Sequence, residues 1–273
     1  MTARRRVAVC VDDFGLNGAV NAGALSLAEA GRASALSCLT RGPAWRAGAA
    51  TLRALPQRRT DVGLHLNLSE PLTPDAWHLP LPMLCLGACA RTLPTGKVRA
   101  EIATQFDAFE DAMGQAPDFV DGHQHVHQLP VVRELMLEEL ARRYPMRPPW
   151  LRNTQAPQAL RHHGRVPLKQ QAIAALGAKR LAALAREQGY PQNRSLLGVY
   201  DFSGPAPDHA YRLADWCDVM ADGDLLMTHA AIGAAPGDPI AAARQVEHEV
   251  LMGPAFGEWL ATRLAIVRLS EIL

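Results

Sequence analysis

The chain has 273 residues, 48% of them hydrophobic and 20% charged, and its 28 Lys+Arg against 27 Asp+Glu leave a formal charge of +1. That balance places it with soluble globular proteins, offers no basic face for nucleic acid or an anionic membrane, and includes no apolar stretch long enough to span a bilayer. Arg4-Arg5-Arg6 resembles the basic end of a secretion signal, but the apolar run behind it is too short for one, so the expected place is the cytoplasm.

Val7-Ala8-Val9-Cys10-Val11 reads as a fully buried strand, followed by Asp12-Asp13-Phe14-Gly15, two carboxylates where the strand ends and a glycine that lets the backbone turn. A helix follows from Asn17 to Ala30 and stops at Gly31. Ala33 to Leu39 is a second strand, Ala44 to Leu55 a helix ended by Pro56, and Asp61 to Leu68 a third strand. In that third strand Leu64, Leu66 and Leu68 share one side, His65 and Asn67 the other. The long connection Ser69 to Thr95 has the length of a functional wall or lid. Gly96 to Gly114 is an amphipathic helix, and Phe119 to His127 a strand with its exit loop. A helix from Pro130 to Arg143, a short strand Trp150 to Arg152 and a polar loop Asn153 to Arg165 with His162 and His163 come next. Leu168 to Gln188 is one Ala/Leu-rich helix and Ser195 to Phe202 a strand. Pro207 to Met220 is helical, Asp224 to Ala231 a strand ending in a histidine, Ile240 to Met252 a helix and Ile266 to Leu269 a last strand.

Strand and helix therefore alternate throughout, with no internal repeat and no Gly/Ser linker. The pattern predicts one domain over 1–273, an α/β fold of about seven or eight βα units forming a distorted (β/α) barrel, with a doubly wound open sheet as the alternative. No glycine-rich phosphate motif follows the first strand, which argues against a dinucleotide or P-loop site. The cysteines Cys10, Cys38, Cys85, Cys89 and Cys217 are odd in number and scattered, as thiols of a reducing compartment are.

Asp12, Asp13, His65, His123 and His229 all fall near the carboxyl ends of predicted strands, which converge on one face of a parallel barrel. One carboxylate and two imidazoles there can bind a divalent metal and leave positions open for water and substrate; a second carboxylate beside them can act as base and a spare histidine as acid. Taken singly, each residue has a plainer role: Asp12 and Asp13 can cap a turn, His65 can be a core histidine, His229 a turn cap, and His123, His125 and His127 a polar barrel layer. The spacing alone does not choose the ligand among those three histidines.

Asp12-Asp13-Phe14-Gly15-Leu16, Gly63-Leu64-His65-Leu66-Asn67-Leu68 and Asp121-Gly122-His123-Gln124-His125-Val126-His127 resemble the motifs of the YdjC-like carbohydrate deacetylases, which include chito-oligosaccharide deacetylases and a hopanoid-biosynthesis-associated branch. The second half is similar more loosely, through Arg152, His229 and Arg244 with Glu247. The resemblance implies a distorted (β/α) barrel that hydrolyses the N-acetyl group of an amino sugar, oligosaccharide or glycoconjugate, with a metal-bound water as nucleophile and one divalent ion, zinc or magnesium, as cofactor. By carry-over, Asp13, His65 and His123 would hold the metal, Asp12 would be the base and His229 would protonate the departing amine. His125 would orient His123 or line the substrate site. Arg152 would orient a carboxylate or touch substrate, and Asn67 would line the substrate site or support a ligand. The sequence departs from the family pattern at Asn17, where Ser or Thr is usual, at Ala230, where Pro commonly follows the late histidine, and at Arg152-Asn153-Thr154 in place of Arg-x-Pro. The implied partner is a small N-acetylated sugar, with no nucleic acid or membrane span, and a homodimer is compatible. A metal-dependent amidase or esterase acting on a non-sugar substrate and a metal-containing binding protein that has lost its acid are the alternatives.

Overall fold

A computed structural model describes residues 3–54, 60–162 and 166–273, with the His162 side chain also outside the description. Among the described residues, eight strands alternate with helices. β1 (Arg5–Phe14), α1 (Gly18–Glu29), β2 (Ala35–Cys38), α2 (Trp45–Ala54) and β3 (Asp61–Leu66) open the chain. After α3 (Leu81–Cys89) and α4 (Thr95–Met113) come β4 (Phe119–Gly122), a 3-10 turn over His123–Gln128, α5 (Val132–Arg143) and β5 (Trp150–Leu151). The second half runs through α6 (Gln158–His162), α7 (Leu168–Ala175), α8 (Ala178–Glu187), β6 (Leu196–Leu197), α9 (Ala206–Val219), β7 (Leu225–Thr228), α10 (Ala241–Met252), α11 (Pro254–Thr262) and β8 (Leu264–Ile266).

All strand pairs are parallel, in the order β5-β4-β3-β2-β1-β7-β6, with β8 added to the start of β1. Read as a ring, that order is the chain order β1 to β7, opened between β5 and β6. A doubly wound sheet would reverse at a switch point instead. A single parallel bridge, Leu151 to Gln192, spans the opening. The chain is thus an α/β protein with a curled, distorted (β/α) barrel.

Strand alternation sorts the core. Ala8, Cys10, Ala35, Phe119, Trp150, Leu196, Leu225 and Met227 form the cluster inside the sheet's curve, while Val7, Val9, Val11, Leu36, Leu64 and Val120 pack with the helices. Gly63 belongs to the inner parity, and a Cβ there would come within 2.5 Å of the Phe119 ring, which stacks on Trp150 at 4.2 Å between centroids. The inner rows therefore carry large rings at one end and polar groups, among them Asp12, Ser37, His65 and Asp121, toward the carboxyl ends.

Several sequence expectations change. β1 continues through the carboxylates instead of ending before them; its register shifts between Val11 and Phe14, and Asp13 takes φ 67°. The strand at Phe119 stops at Gly122, because Gln124 and His125 adopt φ 51° and 61°, so the three histidines do not alternate along an extended chain. The single helix expected over Leu168 to Gln188 is two, broken at Gly177, whose φ of 133° no other residue adopts easily. The strand expected over Ser195 to Phe202 shrinks to Leu196–Leu197, and the last strand lies at Leu264–Ile266, earlier than expected. The Ser69 to Thr95 connection contains α3. The helix end at Leu55 and Pro56, and His163 to Arg165 in the polar loop, lie outside the described residues.

Candidate metal centre and its cavity

A cavity of about 630 Å³ opens at the carboxyl ends of the strands, and Asp12, Asp13, His65, His123, His125 and His229 all line it. Adjacent residues of a regular strand face opposite sides, so Asp12 and Asp13 reach one cavity only because the backbone is irregular there. The left-handed Asp13 supplies that irregularity, and Gly15, at φ 98° and with room for no Cβ because one would lie 2.7 Å from Leu39 O, turns the chain away into α1.

Asp13, His65 and His123 bring one ligand atom each within 4.8 Å of one another. Asp13 Oδ1 accepts from His123 Nδ1 at 3.0 Å and lies 3.4 Å from His65 Nε2, while Oδ2 accepts from Arg244 at 2.8 Å. Burial opposes ionisation of Asp13, but the charge and hydrogen bonds of His123, the bond to His65 and the Arg244 charge outweigh it and hold the carboxyl well below its usual range. His65 donates from Nδ1 to Asp121 Oδ1 at 2.7 Å, with Ser37 Oγ 2.8 Å away. Burial lowers its pKa, yet Asp121 and Asp12 raise it to about 10. His123 is likewise lowered by burial and raised by Asp13 to about 9; its Nε2 lies 3.2 Å from Glu70 Oε1. A carboxylate and two imidazoles, each ring with one nitrogen turned to the carboxylate, is a donor set suited to a zinc-like ion and leaves room for further ligands.

Asp12 does not join that trio. Arg152, with no exposed surface, donates NH1 to Oδ2 at 2.7 Å and NH2 to Oδ1 at 2.6 Å, and also contacts Asp121 Oδ2. Cys10, Asp12 and Asp121 form a second close group of ligand-type atoms, and the Arg152 guanidinium pairs with its two carboxylates. Asp121 is held below the usual carboxylate range against its burial, chiefly by Arg152 and His65. Of the two roles expected for Arg152, orienting a carboxylate has a contact behind it, the two-pronged grip on Asp12; the Arg152 side chain is buried and is not among the residues that line this cavity.

His229 leaves the end of β7 on the cavity wall. Its N–H donates to Glu247 Oε2 at 2.5 Å, its Nδ1 lies 3.9 Å from Glu247 Oε1, and its ring meets Phe202 edge-on at 4.9 Å. Burial pushes its pKa down, with Glu247 opposing. Glu247 is buried and also accepts from Tyr200 at 2.6 Å and from Thr228. Arg244 joins three pieces: Asp13, the His229 carbonyl at 3.2 Å and Asp238 at 2.8 Å, whose loop closes one side of the cavity. His125 lines the cavity with its Nδ1 buried and without a hydrogen bond, and burial together with Arg152 keeps the ring neutral. Asn67 is not among the residues that line this cavity; its side chain accepts from the Ser69 and Glu70 N–H groups and donates to the Glu70 carbonyl, so it builds the turn that carries Glu70.

Ser37, Glu70 and Asp121 escape the sequence reading as partners. Ser37 and Asp121 have a readable signal, a polar residue at inward parity in an apolar strand; Glu70 has only its spacing from Asn67. The departure at 17 acquires a cause, and the one at 230 a setting. Asn17 caps α1, accepting from Val20 N at 2.9 Å as Ser or Thr would. Ala230 is fully buried where Gly23 of α1 approaches, with space for a Cβ there only 2.9 Å from the Ala230 carbonyl.

A model of the family described as YdjC-like protein matches residues 6–262. A carbohydrate deacetylase of Homo sapiens is 31% identical over 150 residues, which cover 50% of this chain and 46% of the relative. A chitooligosaccharide deacetylase of Enterobacter sp. (strain 638) is 33% identical over 147 residues, covering 50% of this chain and 55% of the relative. The chain spans about half the length of the curated relatives it matches. In fold it is similar to a provisionally named cellobiose-phosphate cleavage protein of Enterococcus faecalis V583, with a TM-score of 0.71 at 17% identity and 99% of both chains covered. An uncharacterized protein of Agrobacterium tumefaciens C58 aligns over 100% of this chain and 90% of its own at a TM-score of 0.52 and 12% identity.

Proposed function

Since the chain belongs to the YdjC-like family, we propose that it works as one metal-dependent hydrolase domain that removes the N-acetyl group from an amino sugar or an N-acetylated oligosaccharide or glycoconjugate. The observation that carries this reading is the convergence of Asp13, His65 and His123 on a cavity that also exposes a second carboxylate, Asp12, and a further histidine, His229. The names of the deacetylase relatives support the substrate class.

Asp13, His65 and His123 would hold the ion, zinc or magnesium. When bound, it supplies Lewis acidity toward water and the amide carbonyl. Asp12 accepts the proton of the attacking water. Arg152 occupies both its oxygens, but a carboxylate keeps further lone pairs for that proton, and the two-pronged grip fixes the direction in which they point. His229 delivers a proton to the amine that leaves. Because burial keeps this ring neutral at rest, it takes up that proton during the cycle, and Glu247 stabilises the charged ring. His125, neutral and with an unused ring nitrogen, is a hydrogen-bonding wall for the sugar.

Acetate release tests the reading on a panel of N-acetylglucosamine monomer and oligomers, O-acetylated sugars and non-sugar acetamides. Release from the N-acetylated sugars is expected. Release confined to non-sugar amides or esters assigns the site to a different hydrolase, and no release from any of them makes it a binding protein.

A further inference from the structure

We propose that Glu70 is the positioning residue of His123, the counterpart of Asp121 behind His65; this rests on the metal reading above. The two ligand histidines are arranged alike. His65 turns Nε2 toward Asp13 and gives Nδ1 to a carboxylate at 2.7 Å. His123 turns Nδ1 toward Asp13 at 3.0 Å and sets Nε2 3.2 Å from Glu70 Oε1, within ion-pair distance though not aligned as a hydrogen bond. A carboxylate behind a ligand imidazole fixes its tautomer and orientation and strengthens its hold on a metal.

Glu70 is built into place. Asn67 Oδ1 accepts from Ser69 N at 3.0 Å and Glu70 N at 3.1 Å, and its Nδ2 donates to Glu70 O at 2.8 Å. The Asn67 main chain is in turn clamped by Gln105 of α4, which accepts at 2.9 Å and donates at 2.6 Å. Gln124 donates to Glu70 Oε1 at 3.2 Å, beside His123. The exit of β3 thus provides one ligand, His65, and then the support of another that comes from β4. The supports differ in burial. Asp121 is inaccessible, whereas the Glu70 side chain is 42% exposed, so water replaces it when it is removed and no buried charge is stranded.

The test is Zn2+ affinity of the full chain by competition with a chromophoric chelator, for wild type, E70Q and E70A, beside the thermal midpoint of each metal-free protein. E70A is expected to bind Zn2+ about 10- to 100-fold more weakly. E70Q, which keeps an acceptor oxygen without the charge, falls between, and the metal-free midpoints lie close together because the Glu70–His123 pair is partly exposed. Equal affinity of all three overturns the role of Glu70 and leaves the metal reading standing. Weaker binding that only tracks a lowered metal-free midpoint assigns Glu70 to the fold and overturns it also. A wild-type chain that takes up no Zn2+ overturns both.

Discussion

Asp12 and Asp13 are neighbours in sequence held by different cations, and this difference separates their tasks. Asp13 shares Arg244 with the loop at Asp238 and turns its other oxygen to two imidazoles; Asp12 lies wholly in the fork of Arg152. D12N is therefore expected to lower turnover by about 100- to 10,000-fold, the range for loss of a general base, while the protein keeps its metal; metal content after gel filtration checks this. Loss of metal in D12N would exchange the two roles. Arg152 predicts a different outcome. R152M strands two buried carboxylates, Asp12 and Asp121, at a cost of about 3–5 kcal/mol, read as a lowered denaturant midpoint even without metal. An unchanged midpoint would mean that water reaches this group. The doublet of acids and the three motifs were legible as residues, but spacing did not divide the pair and only the resemblance assigned it, since the division depends on guanidinium groups contributed by positions 152 and 244, far along the chain.

At the scale of elements, the parallel strands set the site by their register, and one contact between them is tight enough to test. Gly63 of β3 sits against the Phe119 ring of β4; β3 carries His65, and β4 leads directly into His123. G63A forces these strands apart or tilts the ring, costing about 1–3 kcal/mol; thermal unfolding should show it, with weaker metal binding as its companion. If stability and metal affinity both stay at wild-type levels, the register is not what aligns the two histidines. The order of strands and helices was readable because apolar periodicity changes from two to about 3.6 at each boundary. The exits were not. A left-handed conformation is uncommon for any residue but glycine, and although Asp and His tolerate it better than most, nothing local required it at Asp13, Gln124 and His125. The break at Gly177 and the short β6 fail in the same way: helix propensity over 168–188 and β-propensity over 195–202 are overruled by where the chain must turn.

For the whole molecule, the buried histidines make stability depend on pH in two opposite senses. Burial lowers His127 from 6.5 to about 4. A depressed folded pKa contributes stability above 6.5 that is lost as pH falls toward 4, so acid unfolding should begin in that window, and H127Q should flatten it. His65 and His123 are raised to about 10 and 9 in the metal-free chain. Their contribution is complete below 6.5 and is lost as pH rises through 9 to 10. Denaturant midpoints from pH 4 to 10 follow both limbs; a flat profile contradicts them. The same two rings must lose their protons to bind a metal, so binding near pH 7 should release close to two protons, measured by calorimetry in buffers of different ionisation enthalpy. The most direct measurement of the central claim is acetate release from N-acetylated chito-oligosaccharide by one preparation in three states: as loaded with metal, stripped by chelator, and reloaded. Release, loss of release and recovery are expected in that order. Release that survives stripping to below one ion per hundred chains, a threshold set at roughly the residual rate expected from trace metal, would contradict it.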